Sequence, residues 1–371
     1  MAKGASKKAA SAKKAGDGGN GAKDRGKVTI NDVARLANVS KKTVSRVIND
    51  SPLVREETRE RVKAVIAAHS YAPDPQARAL AFRRSFLVGM VYDNPSPQYV
   101  VNMQRGILDT LEETSFQLVL RPCDRSDPKF HQKIRTFVEQ QRPYGVILPP
   151  SVSEDERLAK MLRQLGCAYV RIASVELDQP SQMVRTFDTE GAAQAARHIA
   201  ELGHTKIAHI HGPQSFRSAH ERLRGFREGL AERGLKLDRA MTIEGAYTFE
   251  SGVLCAEKLF RRKEKPTAIF AGNDEMAVGV YQAARLAGLD VPTDVSIVGF
   301  DDAPMAARIW PPMTTVRLPI REMGRAAAKL LIQAEQAARP ISFYPEIVVR
   351  QSTAAPRWPQ RFMGAMTPVT M

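Results

Sequence analysis

Thr29-Ile-Asn-Asp-Val-Ala-Arg-Leu-Ala-Asn-Val-Ser-Lys-Lys-Thr-Val-Ser-Arg-Val-Ile-Asn49 is the stretch whose reading decides the N-terminal fold. Thr29 suits a helix N-cap, because its side-chain oxygen can satisfy an N–H that the first turn leaves unpaired. Ile30, Val33, Ala34 and Ala37 then recur at i, i+3, i+4 and i+7, which places them on one apolar face. Asn38 falls where the chain must turn, and Asn accepts the left-handed backbone better than most non-glycine residues. Ser40 caps a second helix whose Val44, Val47 and Ile48 face the first. At about 100° per residue, Lys42, Ser45, Arg46 and Asn49 come out on the opposite face, with Lys41 at the N-terminal end. Two short helices with a tight turn, the second presenting donors, describe a helix-turn-helix. Such a helix fits the major groove, where Lys and Arg donate to guanine O6 and N7 and Ser, Thr and Asn hold phosphates. The plainer alternative is an ordinary helix pair with a solvated polar face. A third helix, roughly Arg55–Ala68, should close a three-helix core through Val62, Val65 and Ile66. Its charges, from Arg55 to Arg61, read as a solvated face.

The charge distribution favours a polyanion partner. The chain has 371 residues and a net charge of +15. Residues 1–27 carry eight Lys/Arg against two Asp, and residues 28–86 carry eleven Lys/Arg against six Asp/Glu, so most of the excess lies at one end. Lys and Arg gain free energy by displacing counterions from phosphates. Residues 1–27, rich in Ala, Gly, Lys and Ser, cannot bury a core and read as a disordered basic arm, or simply a solubility tail. With 43% hydrophobic and 26% charged residues, the remainder is ordinary globular composition. No apolar run approaches the roughly 18 residues of a membrane helix, and no apolar stretch follows the basic start as it would in a secretory signal. Cys123, Cys167 and Cys255 are sparse and far apart, as suits a reducing compartment. A cytoplasmic, nucleoid-associated protein without membrane contact is the expectation. Neither metal-type His/Cys spacing nor a phosphate-binding glycine pattern is present. No metal, cofactor or catalytic residue is expected, and His204, His209 and His211 read as structural or cleft-rim groups.

Pro73 and Pro75 open a junction over residues 73–85. Asp74 followed by Pro75 is a helix start signal, but about two turns of helix are marginal in water and need something to pack on. Leu80, exposed on that helix, could wedge into a minor-groove base step or be an incidental linker residue. From Phe86 onward, strands are expected at Leu87–Tyr92, Phe116–Leu120, Gly145–Leu148, Ala168–Ile172, Met183–Phe187, Ile207–His211, Ala268–Ala271 and Ser296–Phe300. Helices such as Thr189–Leu202, His220–Arg233, Glu250–Phe260 and Asp274–Leu286 alternate with them. That alternation predicts parallel sheets covered by helices. The length predicts two similar doubly wound lobes with a cleft between them.

Together these residues resemble the LacI/GalR family of transcription regulators. The matching phrases are Val28 to Ser40, Thr43 to Asn49 and Tyr71-Ala-Pro-Asp-Pro-Gln-Ala-Arg-Ala-Leu80, within a resemblance running from about residue 28 to 353. It implies an all-α helix-turn-helix head on an α/β, periplasmic-binding-protein-like core of two lobes. It implies that Lys41, Lys42 and Arg46 read bases, that Thr29, Ser40, Thr43, Ser45 and Asn49 touch phosphates, and that Leu80 wedges into the minor groove. Tyr71 and Ala77, from the third phrase, join this DNA-contact set. Asn38 stands where the family's turn usually has Gly, and Asp74 where Asn is frequent. The expected divisions are an arm (1–27), a head (28–72), a hinge (73–85), an effector-binding and dimerisation body (86–355) and a tail (356–371). The tail has no heptad pattern, which favours a homodimer over a helical-tail tetramer.

In the body, the resemblance puts Ser218, Arg222, Tyr247, Asn273 and Asp301 at effector-contacting positions, with Asp188 opening a second-lobe helix near the cleft. Their chemistry suits a polyhydroxylated ligand: Asp and Asn accept from hydroxyls, Arg donates as a fork, and an aromatic covers an apolar sugar face. Each has a structural alternative. Arg222 and Asp301 could pair with each other, Asn273 could cap its helix, and Tyr247 could be core. The loop Asp93-Asn-Pro-Ser-Pro-Gln-Tyr99 is longer than the family's version, so its side of the cleft is the least transferable. The expected function is a homodimeric repressor of carbohydrate-utilisation genes that binds a pseudo-palindromic duplex under control of a small sugar-like effector. The alternatives are a sugar-binding protein with a vestigial head and a corepressor-dependent regulator.

Overall fold

The computed structural model describes residues 28–48, 51–71, 85–333, 339 and 341–357. Asn49, Ala77, Leu80, the basic arm and the end of the chain lie outside the described residues. The chain divides into two compact units, residues 1–82 and 83–371.

In the first unit, α1 (Ile30–Leu36), α2 (Lys41–Ile48) and α3 (Glu56–Ala68) surround a small core. Val33, Ala37, Val44 and Val62 are fully buried there, and Ile30, Ile48, Val65, Ile66 and Tyr71 pack against it. The spacing argument holds because a three-helix head this small has only one apolar stripe per helix to bury. Asn38 takes the left-handed conformation (φ 51°), and Val39 N–H closes on the Ala34 carbonyl at 2.9 Å. The face expected to be solvated on α3 needs a correction. Arg59 is only 12% exposed in its side chain. It donates to the Ser51 carbonyl at 2.8 Å as well as to Glu56, tying α3 to the loop that follows α2.

The second unit holds two six-stranded sheets. The first runs β11-β5-β4-β3-β1-β2, with β1 (Leu87–Tyr92), β2 (Gln117–Pro122), β3 (Gly145–Leu148), β4 (Ala168–Ala173), β5 (Met183–Thr186) and β11 (Ile341–Phe343), all parallel. The second runs β12-β10-β9-β8-β6-β7, with β6 (Ile207–His211), β7 (Thr242–Glu244), β8 (Ala268–Ala271), β9 (Ser296–Asp301), β10 (Thr314–Arg317) and β12 (Glu346–Val348). Only β12 is antiparallel to its neighbour. Helices α4 (Pro97–Leu111), α5 (Phe130–Gln141), α6 (Glu156–Gln164) and α11 (Ile320–Gln333) serve the first sheet, and α7 (Asp188–Glu201), α8 (Arg217–Ala231), α9 (Phe249–Phe260) and α10 (Asp274–Leu286) the second.

Strand parity explains the layering. Ala268 and Phe270 face one core while Ile269 and Ala271 face another, and Val298 and Phe300 oppose Ile297 in the same way. Strands buried on both faces read as near-continuous apolar runs, as these do. The chain passes between the lobes after β5, after β10 and after β11. β7, β11 and β12 escape the sequence reading because three residues are too few to carry a period, and β10 escapes although β3, β5 and β8, also four residues long, are expected from the sequence. In β10, moreover, the fully buried residues include two threonines, whose partners come from elsewhere: Thr315 Oγ1 donates to Asp274 at 2.6 Å, and Ser352 Oγ accepts from Thr314 N–H at 2.8 Å.

Candidate functional site

The head presents its polar face as the sequence arranges it. Thr29 donates both its backbone N–H and its hydroxyl to Asp32 (3.0 and 2.7 Å), which pins the start of α1. The hydroxyl of Thr29 holds the Asp32 carboxyl below its usual range, with Arg35 adding to the effect. Ser40 Oγ accepts from Thr43 N–H at 3.1 Å and shares a hydroxyl contact with Thr43 Oγ1, so both residues are engaged at the N-terminus of α2. Lys41 and Lys42 are exposed; Thr43, Ser45 and Arg46 are half-buried. Arg46 also fixes the following loop, its carbonyl accepting from Ser51 N–H at 2.9 Å. Tyr71 lies half-buried against the head core rather than on an open surface.

In the body, the six side chains singled out from the sequence line one cavity. All six come from the second lobe. Asp188 starts α7; Ser218 and Arg222 sit a turn apart on α8; Tyr247 follows β7; Asn273 caps α10; Asp301 ends β9. These are ends of parallel strands and starts of helices, where open α/β sheets bind ligands. The free space inside it is about 30 Å³, far below the roughly 300 to 1,000 Å³ of ordinary ligand sites, so the lining side chains nearly fill the cleft in this arrangement.

Arg222 organises this cluster. Its Nε donates to Asp188 at 2.8 Å and its Nη1 to the Gly272 carbonyl, while its guanidinium lies 3.7 Å from the centre of the Phe300 ring. Asp188 also accepts from Thr186 Oγ1 at 2.6 Å. The pairing that the sequence left open, Arg222 with Asp301, is loose at 3.8 Å; the partner at hydrogen-bond distance is Asp188. Asn273 does cap its helix, accepting from Met276 N–H, and its amide donates to the Tyr247 carbonyl, both at 3.0 Å. Capping and lining the cavity are therefore compatible roles. Tyr247 is 5% exposed, edge-on to Phe216, and its ring occupies the space that a Cβ on Gly212 would need.

Electrostatics make Asp301 the unusual member. Burial pushes its carboxyl up to about 7, with Arg222 opposing and Asp188 and Glu275 adding to the rise. Its Oδ1 is buried without a hydrogen bond. Burial also works against the charge on Arg222, but Asp188, Tyr247 and Asp301 outweigh it and hold the guanidinium protonated. Burial pushes the Tyr247 phenol up to about 12, and its Oη has no hydrogen bond of ordinary geometry although Ser218 lies beside it. Tyr247 and Asp301 also hold positive φ (60° and 112°), conformations that non-glycine residues adopt at a cost and that concentrate at functional sites.

The first lobe's contribution was not found from sequence. Asn94, Ser96, Tyr99, Pro150, Thr186, Leu318 and Met323, with Phe216 from the second lobe, complete the lining. The only signal was the unusual loop Asp93–Tyr99, which supplies three of them. Ser96 caps α4 through Tyr99 N–H, and Tyr99 Oη ends buried with no hydrogen bond. Two contacts join the lobes beside the cavity. Glu154 of the first lobe accepts from Arg217 N–H at 3.0 Å, and Arg125 donates to the Ser215 carbonyl at 3.1 Å. Burial pushes the Glu154 carboxyl up to about 7 as well.

The histidines fill structural places. His204 bonds Thr267, Ser296 and the Ala354 carbonyl; His209 bonds the Phe270 carbonyl and stacks on its ring. Burial pushes the His209 imidazole down to about 3. Among the described residues no group of three His, Cys, Asp or Glu side chains could hold a metal, and no helix is long and apolar enough to cross a membrane.

Comparison with known proteins adds a lineage to this geometry. Residues 29–74 match the model for bacterial regulatory proteins of the lacI family, and residues 196–353 match that for a periplasmic binding protein-like domain. The HTH-type transcriptional regulator DegA of Bacillus subtilis (strain 168) is 36% identical over 335 residues, spanning 88% of this chain and 98% of that protein. The solved complex of the transcriptional regulator CelR with cellobiose is 32% identical, with a TM-score of 0.66 over 88% of this chain and 99% of its own. The lac repressor dimer bound to operator and the anti-inducer ONPF is 28% identical over the same shares, with a TM-score of 0.74.

Proposed function

The chain belongs to the lacI family of bacterial regulatory proteins, and from that premise we propose that it is a cytoplasmic, homodimeric transcriptional repressor whose grip on operator DNA is set by a small polyhydroxylated effector in the cleft. The observation that carries this is the convergence of Asp188, Ser218, Arg222, Tyr247, Asn273 and Asp301 on one cavity, in the same chain as a capped helix-turn-helix. A binding cleft alone fits many proteins; a cleft joined to a duplex-reading head fits a ligand-controlled regulator. No catalytic role is assigned to any residue.

In this reading the divisions at 28–72, 73–85 and 86–355 are head, hinge and effector body. Lys41, Lys42 and Arg46 meet base edges, and Thr29, Ser40, Thr43, Ser45 and Asn49 meet phosphates. Tyr71 and Ala77 flank the hinge, and Leu80 wedges into the central minor-groove step. Two heads read a pseudo-palindrome, as a twofold dimer requires. Leu286 and Trp310, 72% and 84% exposed, supply apolar surface for that pairing. The solved lac repressor is a dimer on its operator, and the CelR structure holds cellobiose. An effector can shift operator affinity only by favouring one lobe arrangement over another. The contacts from Glu154 and Arg125 to the start of α8 are made in the arrangement seen here and are candidates for what changes.

The test is selection of duplexes from a random pool by the full-length protein, followed by titration of the selected site with a panel of sugars. A pseudo-palindromic winner, and at least one sugar that changes its affinity, are expected. Weak, salt-labile binding without sequence preference would leave a binding protein with a vestigial head. A sugar that tightens binding would make the protein corepressor-dependent.

A further inference from the structure

The charged groups in the cleft are mismatched to an anionic guest. Arg222 is the one cation among the described residues that line it. Its Nε and Nη1 are engaged by Asp188 and by the Gly272 carbonyl, its face rests on Phe300, and its Nη2 lies 3.8 Å from Asp301 Oδ1. Asp301 and Asp188 put two carboxylates beside that single guanidinium. What the cleft offers an incoming molecule is therefore an acceptor, Asp301 Oδ1, together with the neutral phenol of Tyr99, both oxygens being buried without a hydrogen bond, and the neutral phenol of Tyr247 beside Ser218.

A ligand hydroxyl satisfies Asp301 by donating to it and can meet a phenol in either sense. An ammonium does so with a favourable charge. A carboxylate or phosphate ester has no proton to give at neutral pH. Once Asp301 is ionised it would stand beside two carboxylates, and the one cation it could meet, Arg222, is already shared between them.

We infer that the effector is an uncharged or amino-bearing polyol, and that sugar acids and sugar phosphates are excluded by Asp301 and by the prior engagement of Arg222. This deepens the reading of the cleft as the effector site and rests on it. One unscreened like-charge contact at about 5 Å in a partly buried site weakens binding by a factor on the order of one hundred.

Calorimetric titration of the full-length protein at pH 9, about two units above the Asp301 carboxyl, which burial raises to about 7, tests the charge class. The probes are ribose, glucose, galactose and cellobiose, with glucosamine, glucuronate, galacturonate, glucose 6-phosphate and ribose 5-phosphate as charged counterparts. At least one neutral or amino sugar should bind, with its acid and phosphate counterparts weaker by about a hundredfold. Asp301→Asn should narrow the ratio of neutral to acid affinity by about tenfold or more. That ratio is internal to each protein, so a general loss of fold does not imitate it. An acid or phosphate binding within about tenfold of its neutral counterpart overturns the charge rule and leaves the cleft reading standing. Silence from every probe, with operator binding unaffected by any of them, overturns the cleft reading itself and this inference with it.

Discussion

Replacing Asp301 by Asn should make the free protein more stable at alkaline pH. The carboxyl is raised from 3.8 to about 7 by burial, against the pull of Arg222 and with Asp188 and Glu275 adding to it. A carboxyl raised on folding contributes stability that is complete below its unfolded pKa and is lost as pH climbs through its folded one. Three units at about 1.36 kcal/mol each set a ceiling of about 4 kcal/mol lost between roughly pH 4 and pH 8. Asn keeps the shape, still tolerates positive φ, and removes the charge. Arg222 keeps Asp188 and the Gly272 carbonyl, so it is not stranded. Any parting of the lobes that admits water reduces the gain, and at about 2–4 °C per kcal/mol a rise of about 3–8 °C in Tm at pH 8 is expected. Scanning calorimetry at pH 5 and pH 8 reads it directly. The gap at pH 5 should be less than about half of that at pH 8, the wild type falling further. Glu154, also raised to about 7, contributes the same slope to both and cancels. A variant that melts below wild type at pH 8, or a gap equal at both pH values, would refute the reasoning.

Arg222→Ala should abolish the effector response while operator affinity persists, since the cluster it organises lies in the body; a normal ligand response in electrophoretic titrations would remove Arg222 from the site. Gly106→Ala should destabilise the body by more than about 2 kcal/mol in denaturant melts, because the new Cβ would lie 1.9 Å from the Arg321 carbonyl oxygen where α4 crosses α11; wild-type stability would mean that these helices separate at little cost. Leu80→Ala, at a position outside the described residues, should weaken operator binding much more than nonspecific binding; equal losses on both duplexes would dismiss the wedge.

The fold was legible where periodicity is long and burial one-sided. The boundaries of α10, β1, β3, β6 and β8 coincide with those read from the sequence. Legibility failed at strands too short to carry a period, and at β10, whose threonines look solvent-facing until Asp274 and Ser352 are placed beside them. In the site, six second-lobe side chains were readable because they sit at strand ends within recognisable phrases. Tyr99 and Met323 were not, because their place in the cleft depends on how one lobe meets the other, a relation no local window contains. The partner of Arg222 was open for the same reason: Asp188 is 34 residues away in sequence.

The three passages between the lobes set the order in which the molecule can be completed. The first sheet begins at Leu87, yet its outer strand, Ile341–Phe343, and the helix covering it, Ile320–Gln333, are translated after nearly all of the second sheet. A nascent chain emerging N-terminus first must hold an unfinished first lobe through more than a hundred further residues. Neither lobe can be excised by a single cut, transplanted by a single fusion, or matured on the ribosome ahead of its neighbour.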